Sequence, residues 1–308
     1  MIDRRKNNYM KKKKNFKSGF AAIIGMPNVG KSTLLNKIAG QKIAIISDKP
    51  QTTRNKILAV YTTDEEQIIF TDTPGIHNPR NKLGQFMVKS ANEAILDTDV
   101  LVFMVDATRP IQDVERDITK SIEKSGVPCI LALNKIDLVK KEDLLPLIAD
   151  YASMYDFEAV VPMSAKDDDG VFELLNEIRD HIEEGPAYFD EDTVTDQPER
   201  QIAAEIIREK MLWLLEQEVP HGIAIEITKV EEKQRITNIH ATIYCEKGTH
   251  KGIIIGKNGE MLKKIGSMAR ADIEKMLDKK VYLELWVKVK TDWRNSDFMI
   301  KNFGFTNE

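Results

Sequence analysis

Long apolar runs are missing from this chain of 308 residues. No segment approaches the ~20 consecutive apolar residues that cross a bilayer as a helix. Cysteine is nearly absent: Cys129 and Cys245 each sit inside an apolar, strand-like run. That placement predicts two buried thiols in a reducing compartment, not a disulfide framework. The five histidines are scattered, without the spacing of a zinc site. The opening MIDRRKNNYMKKKKNFKSG is basic but has no apolar segment behind it, so it does not read as a secretory signal. These absences together predict a cytoplasmic location. What is present, 42% hydrophobic and 31% charged residues, fits a water-soluble globular chain long enough for two domains.

The net charge of −4 hides an asymmetry. Residues 1–18 carry 8 basic and 1 acidic side chains, residues 19–200 carry 19 and 32, and residues 201–308 carry 18 and 16. Within the last part, residues 247–290 hold 11 basic and 5 acidic groups. A local positive excess beside an acidic domain points to an anionic partner for the C-terminal part. The basic tail over 1–18 has two readings, an unstructured solvated arm or a contact with RNA or an anionic membrane surface.

Residues 19–184 alternate between strand-like runs (FAAIIG, ILAVYT, QIIFTD, VLVFMVD, PCILALNK, FEAVVPMSA) and helical patterns. The alternation predicts an α/β domain with a mostly parallel sheet and helices on both faces. Runs as uniformly apolar as VLVFMV belong in the doubly covered centre. Residues 185–199 break the pattern and are rich in acids with no base, which predicts a linker. From residue 200 to 308 the order reads helix, strand, strand, short helix, helix, strand, a smaller α+β domain.

The segment GMPNVGKS, residues 25–32, fits G-x-x-x-x-G-K-[ST] between a strand and a helix. Gly25 and Gly30 let backbone N–H groups curl around phosphate, Lys31 reaches the β and γ phosphates, and Ser32 offers a hydroxyl to Mg²⁺. Four further segments follow in the order a nucleotide switch needs. In DTPG, Asp72 reaches Mg²⁺ through water and the Gly75 N–H meets the γ phosphate. In NKID, Asn134 and Lys135 brace the base and the first loop, and the Asp137 carboxylate accepts both N–H donors of the guanine edge, which adenine lacks. In MSAK, the Ala165 N–H meets the guanine oxygen. In PQTTR, Thr53 closes the Mg²⁺ shell. The expected nucleotide contacts are therefore Gly25, Met26, Pro27, Asn28, Val29, Gly30, Lys31, Ser32 and Thr33. To these are added Asp72, Thr73, Pro74, Gly75 and Ile76, then Asn134, Lys135, Ile136 and Asp137, then Ser164, Ala165 and Lys166. A P-loop kinase is the competing reading; NKID argues against it.

Far downstream, IIIGKNGEMLKK places Gly256 and Gly259 three apart before an amphipathic helix, with Lys251, Lys257, Lys263 and Lys264 around them. It lacks the GK[ST] ending of the first loop. Taken with GMPNVGKSTLLN, QTTRN, DTPGI and NKID, it makes the chain, from about residue 19 to 290, resemble the Era GTPase family. The resemblance implies GTP hydrolysis by a G domain joined to a type II KH domain, and monomers. It also implies binding of small-subunit ribosomal RNA near its 3′ end, a role in assembly of the 30S-type subunit, and peripheral contact with the inner face of the cell membrane. In a KH domain a GxxG loop approaches the backbone of about four nucleotides. Lys251, Ile254, Gly256, Lys257, Asn258, Gly259, Lys263 and Lys264 are the expected RNA contacts, with at least one of Ile253, Ile254 and Ile255 packed in the core. Trp286, in a strand, is expected to be packed; base stacking is the alternative for it and for Trp293.

Hydrolysis is expected to be slow. Where Ras-like proteins carry a glutamine to orient water, this chain has Ile76, which has no polar side chain; His77 is the nearest titratable neighbour. Lys31, Thr53, Gly75 and Asn28 are the groups expected to act on the reacting phosphate. Related GTPases with asparagine at the place of Asn28, followed by a TTR loop, hold potassium there, so the resemblance extends to a K⁺ site.

Overall fold

The computed structural model describes residues 16–76 and 79–305. The expected roles of His77 and of residues 1–15 lie outside the described residues. The first domain runs β1 (Lys17–Ile24), α1 (Lys31–Ala39), β2 (Ile57–Thr62), β3 (Glu66–Asp72), α2 (Lys82–Leu96), β4 (Val100–Asp106), α3 (Asp113–Ser125), β5 (Cys129–Asn134), α4 (Lys141–Ala152), β6 (Ala159–Met163) and α5 (Val171–Asp180). The sheet order is β2-β3-β1-β4-β5-β6, with β2 antiparallel to β3 and the other pairs parallel. Strand periodicity divides the core between the two faces. Val100, Val102 and Met104 of β4 join Ala21 and Ile23 of β1 on one side, while Leu101, Phe103 and Val105 join Ala22 and Ile24 on the other. Helices cover both, which is why β4 shows no polar alternation.

The acidic stretch after α5 is not a loose connection. It lies along the first sheet, where Val60 N donates to Val194 O at 2.8 Å and Thr195 Oγ1 to Leu58 O at 2.7 Å. The buried Gln67 accepts from the amides of Tyr188 and Phe189. An edge strand leaves backbone groups unpaired, and this segment satisfies part of that demand on β2.

The second domain runs α6 (Glu199–Leu214), β7 (Ala224–Glu232), β8 (Ile236–Cys245), α7 (Gly248–Ile255), α8 (Glu260–Leu277) and β9 (Lys280–Val289). Its sheet is β7-β8-β9, antiparallel then parallel. Helices α6, α7 and α8 pack on one face through Ile206, Ile207, Ile254, Ile265 and Ile273. Beyond β9 a single 3₁₀ turn, Trp293–Asn295, and a short helix, α9 (Asp297–Asn302), follow. The sequence pattern does not announce them, because α9 has only six residues and draws its stability from packing, not periodicity.

Candidate nucleotide site and RNA cleft

The loop between β1 and α1 wraps back on itself because two of its residues cannot carry a side chain. A Cβ on Gly25 would meet Met104 O at 2.2 Å, and one on Gly30 would meet Asn134 Nδ2 at 2.2 Å. Gly30 has φ of 114°, a region that L side chains rarely adopt. Lys31, buried, donates to Gly25 O at 3.1 Å and Met26 O at 2.9 Å. Burial lowers its ammonium pKa to about 8, against the pull of Asp72. A polyanion would restore the charge that burial disfavours.

Three oxygen-bearing side chains converge beside Lys31. Ser32 Oγ lies 2.9 Å from Thr53 Oγ1 and 2.7 Å from Asp72 Oδ2, and Thr53 Oγ1 is 3.2 Å from Asp72 Oδ2. The other carboxylate oxygen, Asp72 Oδ1, is buried with no hydrogen-bond partner. Burial pushes the Asp72 carboxyl up, opposed by Lys31, Ser32 and Thr53. Two hydroxyls and a carboxylate with an orphaned oxygen form a hard donor set, which fits Mg²⁺ in chemistry and in number. Gly75 sits against the same loop: a Cβ there would meet Pro27 N at 2.7 Å, and Ile76 N donates to Gly25 O.

The base end is braced by one asparagine. Asn134 Nδ2 donates to Val29 O at 2.7 Å, and its Oδ1 accepts from Ala165 N at 2.9 Å. Lys135 Nζ donates to Asn28 O at 2.9 Å and to Asp106 Oδ2 at 2.6 Å. Burial alone would raise the Asp106 carboxyl, but hydrogen bonds from Lys135 and Thr108 bring it below its usual range. Asp137, by contrast, is exposed and makes no hydrogen bond or ion pair among the described residues. An acid left free beside a braced loop is available to a ligand. The cavity between the first loop and the PQTTR loop measures about 310 Å³ and includes Arg109, which sequence reasoning missed. Arg109 follows β4 with no motif to mark it, and its Nε lies 3.5 Å from Asp106 Oδ2.

The PQTTR loop is held from the second domain. Arg208 of α6 donates to Thr52 O and, at 3.4 Å, to Gln51 O. Arg54 donates to Ile223 O at 2.6 Å and His221 O at 3.0 Å. Glu209 accepts from Ile46 N at 3.0 Å and Lys42 at 2.5 Å, and Lys42 also reaches Asp272 of α8 at 3.2 Å. The helix that follows DTPG is held as well: Leu83 and Met87 of α2 pack with Trp293, Ile300 and Phe305, and Lys82 pairs with Asp297.

At the downstream loop, Gly256 (φ 74°), Asn258 (φ 52°) and Gly259 (φ 80°) make a tight left-handed turn between α7 and α8. A Cβ on Gly256 would meet Met261 Cβ at 2.7 Å, whereas Gly259 faces open space. Lys251, Lys257, Lys263 and Lys264 are exposed and unpaired among the described residues. A cleft begins at Gly259 and runs between α8 and β9 past Leu262, Lys263, Gly266 and Arg270 to Leu283 and Leu285. No motif marks its β9 wall; only the fold brings β9 beside α8. Ile254 is corrected: it is fully buried in the core, so it supports the loop and cannot touch RNA. Ile253, its neighbour, is half exposed. Trp293 is buried, with its indole N–H donated to Gly222 O at 3.0 Å. Trp286, expected to pack, is 58% exposed because its strand position turns it away from the helices.

Two family models match the chain: a 50S ribosome-binding GTPase model over residues 20–135 and a KH domain model over residues 218–294. GTPase Era of Ruminiclostridium cellulolyticum is 56% identical over 294 residues, 94% of this chain and 98% of that one. GTPase Era of Clostridioides difficile is 51% identical over 296 residues, 95% and 100% of the two chains. Among solved structures, a point variant of Aquifex aeolicus Era bound to GDP·AlF4⁻ has a TM-score of 0.92 at 41% identity, covering 94% of this chain and 100% of that chain. An Era complex with MgGDPNP and nucleotides 1506–1542 of 16S ribosomal RNA has the same score and identity, covering 94% and 99%. Both domains, their order and nearly the whole length are shared, and the chain belongs to the Era family of GTPases.

Proposed function

We propose that this GTPase is a switch in which the nucleotide site and the RNA cleft report on each other, and that its RNA is the 3′ region of small-subunit ribosomal RNA during subunit assembly. The observation that carries the proposal is the interface. The PQTTR loop, whose Thr53 is expected to close the Mg²⁺ shell, is bonded to the KH domain, and the helix that follows DTPG, with its Gly75, packs against it. Asp272, one end of the Lys42 and Lys210 ion network, sits on α8, whose first turn follows the GKNG loop. The rRNA assignment draws on the relative solved with nucleotides 1506–1542, and on four unpaired lysines beside a loop shaped for close backbone approach.

At the nucleotide, Ser32, Thr53 and Asp72 would hold Mg²⁺, which when bound draws charge from the β and γ oxygens. Lys31 and the N–H groups of the first loop orient the phosphates, and the Gly75 N–H faces the terminal one. Asp137 selects guanine. No side chain at position 76 can hold water, so catalysis rests on charge and positioning. Asn28 is the candidate for supplying that charge through K⁺. Its carboxamide lies against Asp48 O, and with its amide turned over, Asn28 Oδ1 and Asp48 O would present two oxygens to one cation.

The test is RNA affinity of the full chain loaded with a non-hydrolysable GTP analogue or with GDP, using the 3′-terminal segment of its own small-subunit rRNA. A several-fold difference is expected. Equal affinities would mean that the KH domain binds RNA irrespective of the nucleotide.

A further inference from the structure

The sheet of the KH domain has a second face. Val281, Leu283, Leu285 and Val287 of β9 point toward the helices, and the alternate residues Tyr282, Glu284, Trp286 and Lys288 point away. The C-terminal segment covers one end of that outer face, where Tyr244 packs on Phe303 with ring centroids 4.9 Å apart. Among the described residues, it leaves the rest open. Tyr282 is 54% and Trp286 58% exposed, a large uncovered apolar area for one strand. The acid between them is spoken for: Glu284 Oε2 lies 2.6 Å from Nδ1 of His240, its cross-strand neighbour. Lys288 and Lys290 have no acid partner among the described residues. Glu226 and Glu231 of β7 share this face but are bonded to the Tyr244 hydroxyl and to Lys229, so it is the β9 edge of the outer face that is aromatic and positive.

We propose that this face is a second RNA surface. A single-stranded segment continuous with that in the cleft stacks bases on Trp286 and Tyr282 while Lys288 and Lys290 meet its phosphates. The inference rests on the RNA reading of the GKNG cleft. Three observations favour a nucleic acid over a protein. Aromatic rings beside free lysines are the pairing that single strands use, since every base has a π face and every link a charge. Leu283 and Leu285 line the cleft on one side of β9 while Tyr282 and Trp286 stand on its back, so a strand leaving the cleft over this sheet edge arrives at the rings. The two rings are four residues apart along one strand, ~13 Å, which leaves room for bases between them. A KH cleft holds only about four nucleotides, and a longer strand has to lie somewhere.

The experiment compares a short rRNA 3′-end strand of about six nucleotides with one of about eighteen, on the full chain. Trp286→Ala is expected to weaken the long strand about tenfold and the short one less than twofold. Trp286→Phe, which keeps a ring, should recover most of the loss. Lys288→Ala should flatten the salt dependence of the long strand only, by ~0.7 in slope. The double change Lys257→Asp and Asn258→Asp should abolish both. Loss of long-strand affinity in that loop variant but not in Trp286→Ala would overturn the second surface and leave the cleft reading standing, with the open face then meeting a protein. Equal loss of both strands in Trp286→Ala would overturn it too, because a separate surface cannot be felt by a strand too short to reach it. Wild-type protein that binds neither strand would bring down the cleft reading and this one together.

Discussion

Replacing Arg208 by alanine tests whether the KH domain holds the catalytic loop. Arg208 is on α6, in the other domain from the nucleotide, and is almost wholly buried. Its Nη2 donates to Thr52 O, one residue from the Thr53 hydroxyl that would complete the Mg²⁺ shell. The contact to Gln51 O is long, 3.4 Å, and adds little. Glu205 pairs with the same guanidinium through Nε at 3.0 Å and Nη2 at 2.5 Å, so the donor arrives already oriented. A hydrogen bond from a charged group contributes roughly 1.5–3 kcal/mol. Losing ~2 kcal/mol shifts the balance between held and released loop by about 30-fold. Part of that is offset by the nucleotide's own grip on Thr53, and single-turnover hydrolysis should slow by about 3- to 30-fold. GDP affinity should barely change, because Lys31, Asn134 and Asp137 are untouched. Arg208→Lys should recover little, since a single ammonium cannot bridge Glu205 and Thr52 as the fork does. An unchanged single-turnover rate in a variant that melts like the wild type would refute the reasoning: the contact would then be incidental.

Three more expectations concern the two sites separately. Turnover should be markedly faster in KCl than in NaCl, and Asn28→Ala should erase the difference while leaving GDP binding near normal; equal rates in both salts would dismiss the K⁺ site. Asp137→Ala should weaken GTP about 10- to 100-fold, the scale of one or two charge-assisted hydrogen bonds, and competition by ATP in the wild type should be slight. Lys257→Asp with Asn258→Asp should abolish RNA binding without altering GTP affinity, read by fluorescence anisotropy of labelled RNA and nucleotide in parallel.

The sequence makes legible whatever depends on local spacing. The first loop, DTPG, NKID and SAK are short and sit at strand ends; one asparagine gathers the first loop and SAK by bonding Val29 O and Ala165 N, and Ile76 N ties DTPG to Gly25 O. The alternation of β4 between two cores follows from side-chain periodicity alone. What escapes depends on which surfaces meet. The β9 wall of the cleft beside GKNG, Arg109 in the cavity at the first loop and the burial of Ile254 instead of its neighbours all need the tertiary arrangement. Trp286 departs from expectation for a related reason. An aromatic in a strand is packed only if its face is covered, and the chain does not announce that the described C-terminal residues leave it exposed. The consecutive residues Arg208, Glu209 and Lys210 look like a solvated turn of helix, yet all three are buried, because Thr52, Ile46, Lys42 and Asp272 supply their partners.

That buried triplet also bears on whether the interface is fixed or movable. Two apolar faces would separate only at the cost of exposing them. Charged groups behave otherwise. Docked, Glu209 accepts from Lys42 and the Ile46 amide, Lys42 also reaches Asp272, and the Trp213 indole donates to Ile46 O, while Lys210 pairs with Glu209 and Asp272 inside the KH domain and holds them in place. Undocked, water solvates the same groups. The desolvation cost of a buried ion pair roughly cancels its Coulombic gain, so such an interface has specific geometry without a deep energy well. The apolar part, Leu83, Phe86 and Met87 against Trp293, Ile300 and Phe305, sits apart from these charged contacts, at the helix after DTPG. A shallow well is what a switch needs, because a ligand shifts an equilibrium only by its differential affinity for the two states. Replacing Lys42 and Glu209, the ion pair that crosses the interface, by a matched apolar pair should therefore hold the domains together more firmly, and the RNA affinities of the GTP and GDP forms should converge. Affinities that stay as far apart as in the wild type would show that the charged contacts are not what keeps the two states in balance.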